Sequence, residues 1–162
     1  MKKDLLYPLT CLAFAIVIGG AVYEHLNVVP VWAAAPPVSL SMFQGPHGLK
    51  PELFWMVIHP VTLLLFVLTL AFHWRSARKK HIVIVLLSYV LILAITSVYF
   101  VPELISILQT AVASTADAAL TERAGRWEGL SLVRLGVLVV LSLVLFSGLT
   151  KTGTLVKAGA GR

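Results

Sequence analysis

The sequence predicts an all-α fold: an integral membrane four-helix bundle, forming one domain over residues 1–162. Three observations carry this. The 162 residues are 59% hydrophobic and only 12% charged, against about 25% charged in an ordinary soluble domain, and the mean hydropathy is +0.93. Four apolar runs reach the ~20 residues needed to cross a bilayer. Between them lie a Pro- and Gly-rich loop, a basic turn and an Ala-rich linker. The formal net charge of +6 comes from Lys and Arg at the ends of apolar runs, where such residues set orientation, so nucleic acid is not an expected partner. The single cysteine, Cys11, forms neither an internal disulfide nor a thiolate cluster.

The first span is expected from about residue 5 to residue 32. Met1-Lys2-Lys3 before an apolar run resembles the start of a signal peptide, but the run continues well past the length of such a segment. It is somewhat longer than a bilayer needs, so tilt or protrusion follows. From Ala33 to Glu52, Pro36, Pro37, Gly45, Pro46, Gly48 and Pro51 supply turn chemistry throughout. A second span, 53–74, ends in the cluster Arg75, Arg78, Lys79 and Lys80. A third runs over 81–108. Residues Gln109–Arg126 read as a small-residue linker with some helix at the surface, and a fourth span covers 127–149 before a Gly-rich tail. Trp32, Trp55, Trp74 and Trp127 fall near the expected interfaces, where indole is favoured.

Lys2, Lys3, Arg75, Arg78, Lys79, Lys80, Lys151, Lys157 and Arg162 fall on one side of these spans, against Lys50, Arg123 and Arg126 on the other. The positive-inside rule then places both termini and the basic turn in the cytoplasm. A bacterial plasma (inner) membrane is the expected location. The partners expected are the lipid bilayer and a lipophilic small molecule. Gly19, Gly20 and the pair Ala15-x-x-x-Gly19 suit close helix contact, within the bundle or in a homo-oligomer.

The polar residues inside the spans are more telling, because an ionisable group in hydrocarbon faces the protein interior and has a partner. With a rise of 1.5 Å per residue, Glu24 and His25 lie about 10 to 12 Å below Trp32, His59 roughly 9 Å below Leu53, Glu103 about 8 Å below Leu108 and Arg134 roughly 10 Å below Trp127. Four spans thus place ionisable groups in one layer. Helical spacing puts Thr96, Tyr99 and Glu103 on one face of the third span, and Trp127, Ser131 and Arg134 on one face of the fourth. Pro60 and Pro102 free the carbonyls of Met56 and Val98 and are expected to loosen the helices beside the layer.

In its structural reading the layer is interhelical glue: Arg134 paired with Glu103 or Glu24, and the histidines hydrogen-bonded in the core. In its functional reading His25 and His59 bind a cofactor, either as axial ligands of a haem or, with Glu24 and Glu103, as ligands of a non-haem transition metal such as iron or copper. Arg134 and Tyr99 are then the candidate catalytic groups. His47, in Gly45-Pro46-His47-Gly48, is a weaker third ligand. His73 and His81 flank the basic turn and read as interfacial.

The Gly-rich first span ending at Pro30, the segment Val101-Pro102-Glu103 in the third span, and the fourth span opening with Trp127 and carrying Arg134 together resemble the anthrone oxygenase-like family of small four-span membrane proteins (DUF1772). Members often carry asparagine near the third-span proline and three residues before the arginine, where this chain has Glu103 or Leu104 and Ser131. The resemblance implies a four-helix membrane bundle and oxygen-dependent redox chemistry on an aromatic or quinone-like substrate. A membrane oxidoreductase of the oxygenase kind is the leading expectation. A haem- or metal-binding electron carrier and an accessory membrane subunit without cofactor are its rivals.

Overall fold

The computed structural model describes residues 3–151; Lys2, Lys157 and Arg162 lie outside the described residues. The chain is helical almost throughout. Helix α1 (Lys3–Asn27) is followed by the short α2 (Val29–Ala33), a 3-10 turn (Val38–Phe43), α3 (Glu52–Phe72) and α4 (Lys79–Ile95). A π-helical turn (Thr96–Phe100), α5 (Val101–Leu108) and α6 (Ala118–Ser147) complete it, with a 3-10 turn at Gly148–Thr150. Four stretches are long and apolar enough to cross a membrane: Leu5–Ala33, Glu52–Phe72, Lys79–Leu108 and Ala118–Thr150. Around the bundle α1 packs on α3 and α6, and α4 on α3 and α6.

The breaks follow from local chemistry. Pro30 cannot donate a backbone hydrogen bond, and α1 gives way at Val28 to a new short helix with the proline in its first turn. Pro60 is absorbed inside α3 without interrupting it. Pro102 acts differently. Just ahead of it the helix widens into the π turn, where the Val101 N–H donates to Thr96 O, so the carbonyls before the proline are re-paired one residue further on.

The fourth span begins nine residues earlier than expected. Asp117 caps α6 by accepting from Leu120 N at 2.9 Å, and the following Ala, Glu and Arg residues are strong helix formers. Half of the expected linker is therefore helix.

Two clusters form the core. Tyr7, Phe14, Phe66, Ile82, Val85, Tyr89, Leu141 and Leu145 fill the half nearer the basic turn. Thr10 and Thr69 add a buried hydroxyl pair there at 2.6 Å. Trp32, Leu40, Phe100, Ile107, Ala124 and Trp127 fill the other half. Trp32 and Trp127 are thus core residues and not interfacial anchors: their rings meet edge-on at 5.5 Å, and Trp127 Nε1 donates to Phe100 O at 2.9 Å. The Pro-rich loop closes over this end. Leu40 is fully buried, Ser39 Oγ donates to Trp32 O at 2.6 Å, and Asp117 N donates to Pro36 O at 2.9 Å. Leu12, Leu64, Val67, Leu87, Leu91, Val133 and Leu143 are exposed on the outside of the bundle, the surface that a bilayer would cover.

Candidate functional site

The polar layer is present, but it is wired differently from the sequence expectation. Glu24 on α1 faces α3, where Trp55 Nε1 donates to Glu24 Oε1 at 2.8 Å. One turn along α3 the His59 ring stacks on the Trp55 indole, with centroids 5.2 Å apart and planes at 21°. His59 Nδ1 in turn shares a 2.6 Å hydrogen bond with Tyr89 OH of α4. Three helices are thereby linked through carboxylate, indole, imidazole and phenol. Helical spacing of four between Trp55 and His59 makes the stack possible. Tyr89 is fully buried and was not among the sequence-derived candidates, since an aromatic residue in an apolar run reads as ordinary core.

Arg134 completes the layer from α6. It does not pair with Glu103: its NH1 donates to Thr96 Oγ1 at 3.0 Å and its NH2 to Ser131 Oγ at 2.8 Å, while the guanidinium lies 4.3 Å from the Phe100 ring centroid. All three partners are neutral. Glu103 is held instead by Arg123, which donates Nε to Oε1 at 2.9 Å and NH2 to Oε2 at 3.1 Å. That bidentate pair sits at the bundle end, with Arg123 also donating to Ser106 Oγ at 3.0 Å.

Depth explains the exchange of partners. Glu103 lies seven residues beyond Thr96, about 10 Å along the helix axis, so both face α6 but Glu103 meets Arg123 near the bundle end while Thr96 meets Arg134 deeper in the bundle. The one-residue insertion of the π turn instead moves Tyr99 off the face that simple helical counting assigns it. Tyr99 is 38% exposed and packs on Phe100 with ring centroids 5.1 Å apart. Ser131 and Arg134 precede no such insertion, and their common inward face is as the spacing predicts.

His25 turns to its own helix, with Nδ1 bonded to Ala21 O at 2.8 Å and Nε2 buried without a partner. Such a bond fixes the Nδ1–H tautomer and leaves Nε2 as a bare acceptor, the form in which an imidazole ligates metal or receives a ligand's hydrogen bond. Four ligands for one ion are not assembled. Among the described residues no three His, Cys, Asp or Glu side chains come together as a metal site. Glu103 is taken by Arg123 and His59 Nδ1 by Tyr89. The residues present do not fit a non-haem ion held by Glu24, His25, His59 and Glu103, while His25 and His59, each engaged through Nδ1, are both left with Nε2 for attachment to a group at a single point. His47 is exposed in the loop. His73, expected at the interface, is buried, bonded through Nδ1 to Thr69 O at 3.0 Å and edge-on to Tyr7.

Beside the layer a cleft of about 660 Å³ opens between α1 and α3. Ile16, Gly19, Gly20, Tyr23, Glu24 and Phe54 form much of its wall, with Lys50 at the loop end. The two glycines serve different purposes. A Cβ on Gly20 would lie 2.5 Å from Phe54 Cε1, whereas one on Gly19 would meet nothing within 4 Å. Gly20 lets α3 approach, and Gly19 leaves the cleft open. The volume is within the range of small-molecule sites, which combine apolar walls with few polar groups. No protein-family model, curated protein or solved structure is matched by this chain.

Proposed function

We propose that this protein is a membrane oxidoreductase of the oxygenase kind, which takes a lipophilic aromatic or quinone-like molecule from the bilayer into the cleft between α1 and α3. One observation carries the reading: Glu24 lies in the wall of an apolar cleft and has a single oxygen engaged, by Trp55. Oε2 is then free to act as a general base toward a bound hydroxy- or keto-aromatic. Removing an acidic C–H proton from such a molecule leaves an electron-rich anion that reacts with dioxygen; for an anthrone, the ring CH2 and one O2 become a ring C=O and one water. Arg134 brings a positive charge to the bundle interior while its hydrogen bonds go to Thr96 and Ser131, which leaves Glu24 unoccupied by it.

The test is dioxygen uptake by purified protein given a hydroxyanthrone, together with quenching of tryptophan fluorescence as the ligand binds beside Trp55. Glu24→Gln should lower turnover about a hundredfold or more while binding persists, the scale of a lost general base. Full activity in that variant, or neither binding nor turnover in the parent protein, would remove the reading.

The unpartnered His25 Nε2 favours a second reading, a haem-binding electron carrier. A Soret band lost in His25→Ala, without oxygen uptake, would select it. In either case we place the protein in a bacterial inner membrane with both termini cytoplasmic, on the strength of the basic turn. A cysteine introduced at Ser41 should then react with an impermeant reagent from outside, and labelling from the cytoplasmic face alone would reverse the topology.

A further inference from the structure

The turn between α3 and α4 carries Arg75, Arg78, Lys79 and Lys80 within six residues, while from Leu53 to Pro102 the sequence has no Asp or Glu. Among the described residues none of these four cations forms an ion pair. Arg78 is otherwise employed: its Nε donates to Lys151 O at 3.0 Å and its guanidinium lies 5.3 Å from the Tyr7 ring centroid. Of the other three, Lys79 and Lys80 line a groove of about 330 Å³ with Val83 and Ile84, and Arg75 lies outside it. Lys79 Nζ is held 3.6 Å from the centroid of the exposed Trp74 indole, which steadies the ammonium at the groove mouth.

The order of residues along α4 is what specifies a ligand. Lys79, Val83 and Leu87 are spaced by four, as are Lys80 and Ile84, so one face of the helix presents two ammonium groups and then aliphatic side chains about 6 and 12 Å deeper. Ile84 and Leu87 are 52% and 65% exposed. We propose that this face binds one anionic phospholipid, with its phosphate between the Lys79 and Lys80 ammonium groups and an acyl chain lying over Val83, Ile84 and Leu87. A soluble anion would use the lysines and leave the aliphatic stripe bare. A zwitterionic lipid would use the stripe but bring a choline cation to a turn already carrying four positive charges.

Native mass spectrometry and thermal melting of the full chain in detergent test this, with phosphatidylglycerol, phosphatidylcholine of the same acyl chains, and inorganic phosphate as probes. Phosphatidylglycerol should be retained as a single adduct and raise the melting temperature, phosphatidylcholine should do neither, and inorganic phosphate should give less than the lipid. Lys79→Gln with Lys80→Gln should weaken phosphatidylglycerol binding about thirtyfold, as expected for two lysines at an anionic surface. Lys79→Arg with Lys80→Arg should retain it, which separates lost charge from a failure to fold. Equal retention of the two lipids, equal stabilisation by phosphate alone, or undiminished binding in the glutamine variant would each overturn the proposal.

Discussion

Replacing Trp55 by Phe isolates the contact that fixes Glu24. The substitution keeps an aromatic ring to pack on Phe54 and stack on His59 and removes the Nε1–H that donates to Glu24 Oε1 at 2.8 Å. A hydrogen bond to a charged acceptor contributes about 1.5 to 3 kcal/mol in soluble proteins, whereas interhelical bonds in membranes average ~0.6 and reach ~1.7, because the unfolded helices also find partners. The carboxylate acceptor and the half-buried setting place this bond at the upper end of the membrane range, so Trp55→Phe should cost about 1.5 kcal/mol. In a Glu24→Gln background the neutral amide oxygen still accepts, and the same change should cost about half as much. The measurement is reversible unfolding in mixed micelles with increasing SDS, followed by far-ultraviolet circular dichroism, since the indole itself is being removed. A coupling energy near zero in this cycle would show that Trp55 does not hold Glu24. Glu24 would then stand in the cleft wall without the indole fixing it.

A parallel cycle separates the two arginines: Arg123→Gln and Glu103→Gln should couple by about 0.2 to 1 kcal/mol, as a partly exposed pair does, while Arg134→Gln and Glu103→Gln should add within ~0.5 kcal/mol. The cleft glycines should respond with opposite signs. Gly20→Ala forces Phe54 aside and should cost about 1 kcal/mol, whereas Gly19→Ala meets open space and should stabilise by roughly 0.5 kcal/mol, both read from the same SDS unfolding. At the other end, a Cβ on Gly148 would collide with the Tyr7 hydroxyl, which donates to Leu145 O at 2.6 Å. Gly148→Ala should therefore destabilise by about 2 kcal/mol, and by visibly less once Tyr7→Phe has removed the hydroxyl; an undiminished cost there would locate the strain elsewhere.

What the sequence determined by itself was what depends on composition. Four apolar runs define four helices long enough to span a bilayer, because unpaired backbone groups in hydrocarbon leave little alternative to helix. Counting residues along those helices puts Glu24, His25, His59, Glu103 and Arg134 at one level, and here the count misplaces Glu103, which pairs with Arg123 about 10 Å nearer the bundle end than Thr96, the partner of Arg134. Azimuth was another matter. Local counting assumes 3.6 residues per turn, and the π turn at Thr96–Phe100 breaks that assumption, so Tyr99 leaves the inward face and is 38% exposed. The choice between donors of equal depth likewise belongs to packing. Trp55 reaches Glu24 and Tyr89 reaches His59 because α1, α3 and α4 adjoin in that order, whereas His25, one residue from Glu24 and thus rotated by about 100°, turns back to Ala21. Trp32 and Trp127 look like interfacial anchors in one dimension. The closure of the Pro-rich loop over the bundle end makes them core, a long-range contact between Pro36 and Asp117 that no local pattern encodes.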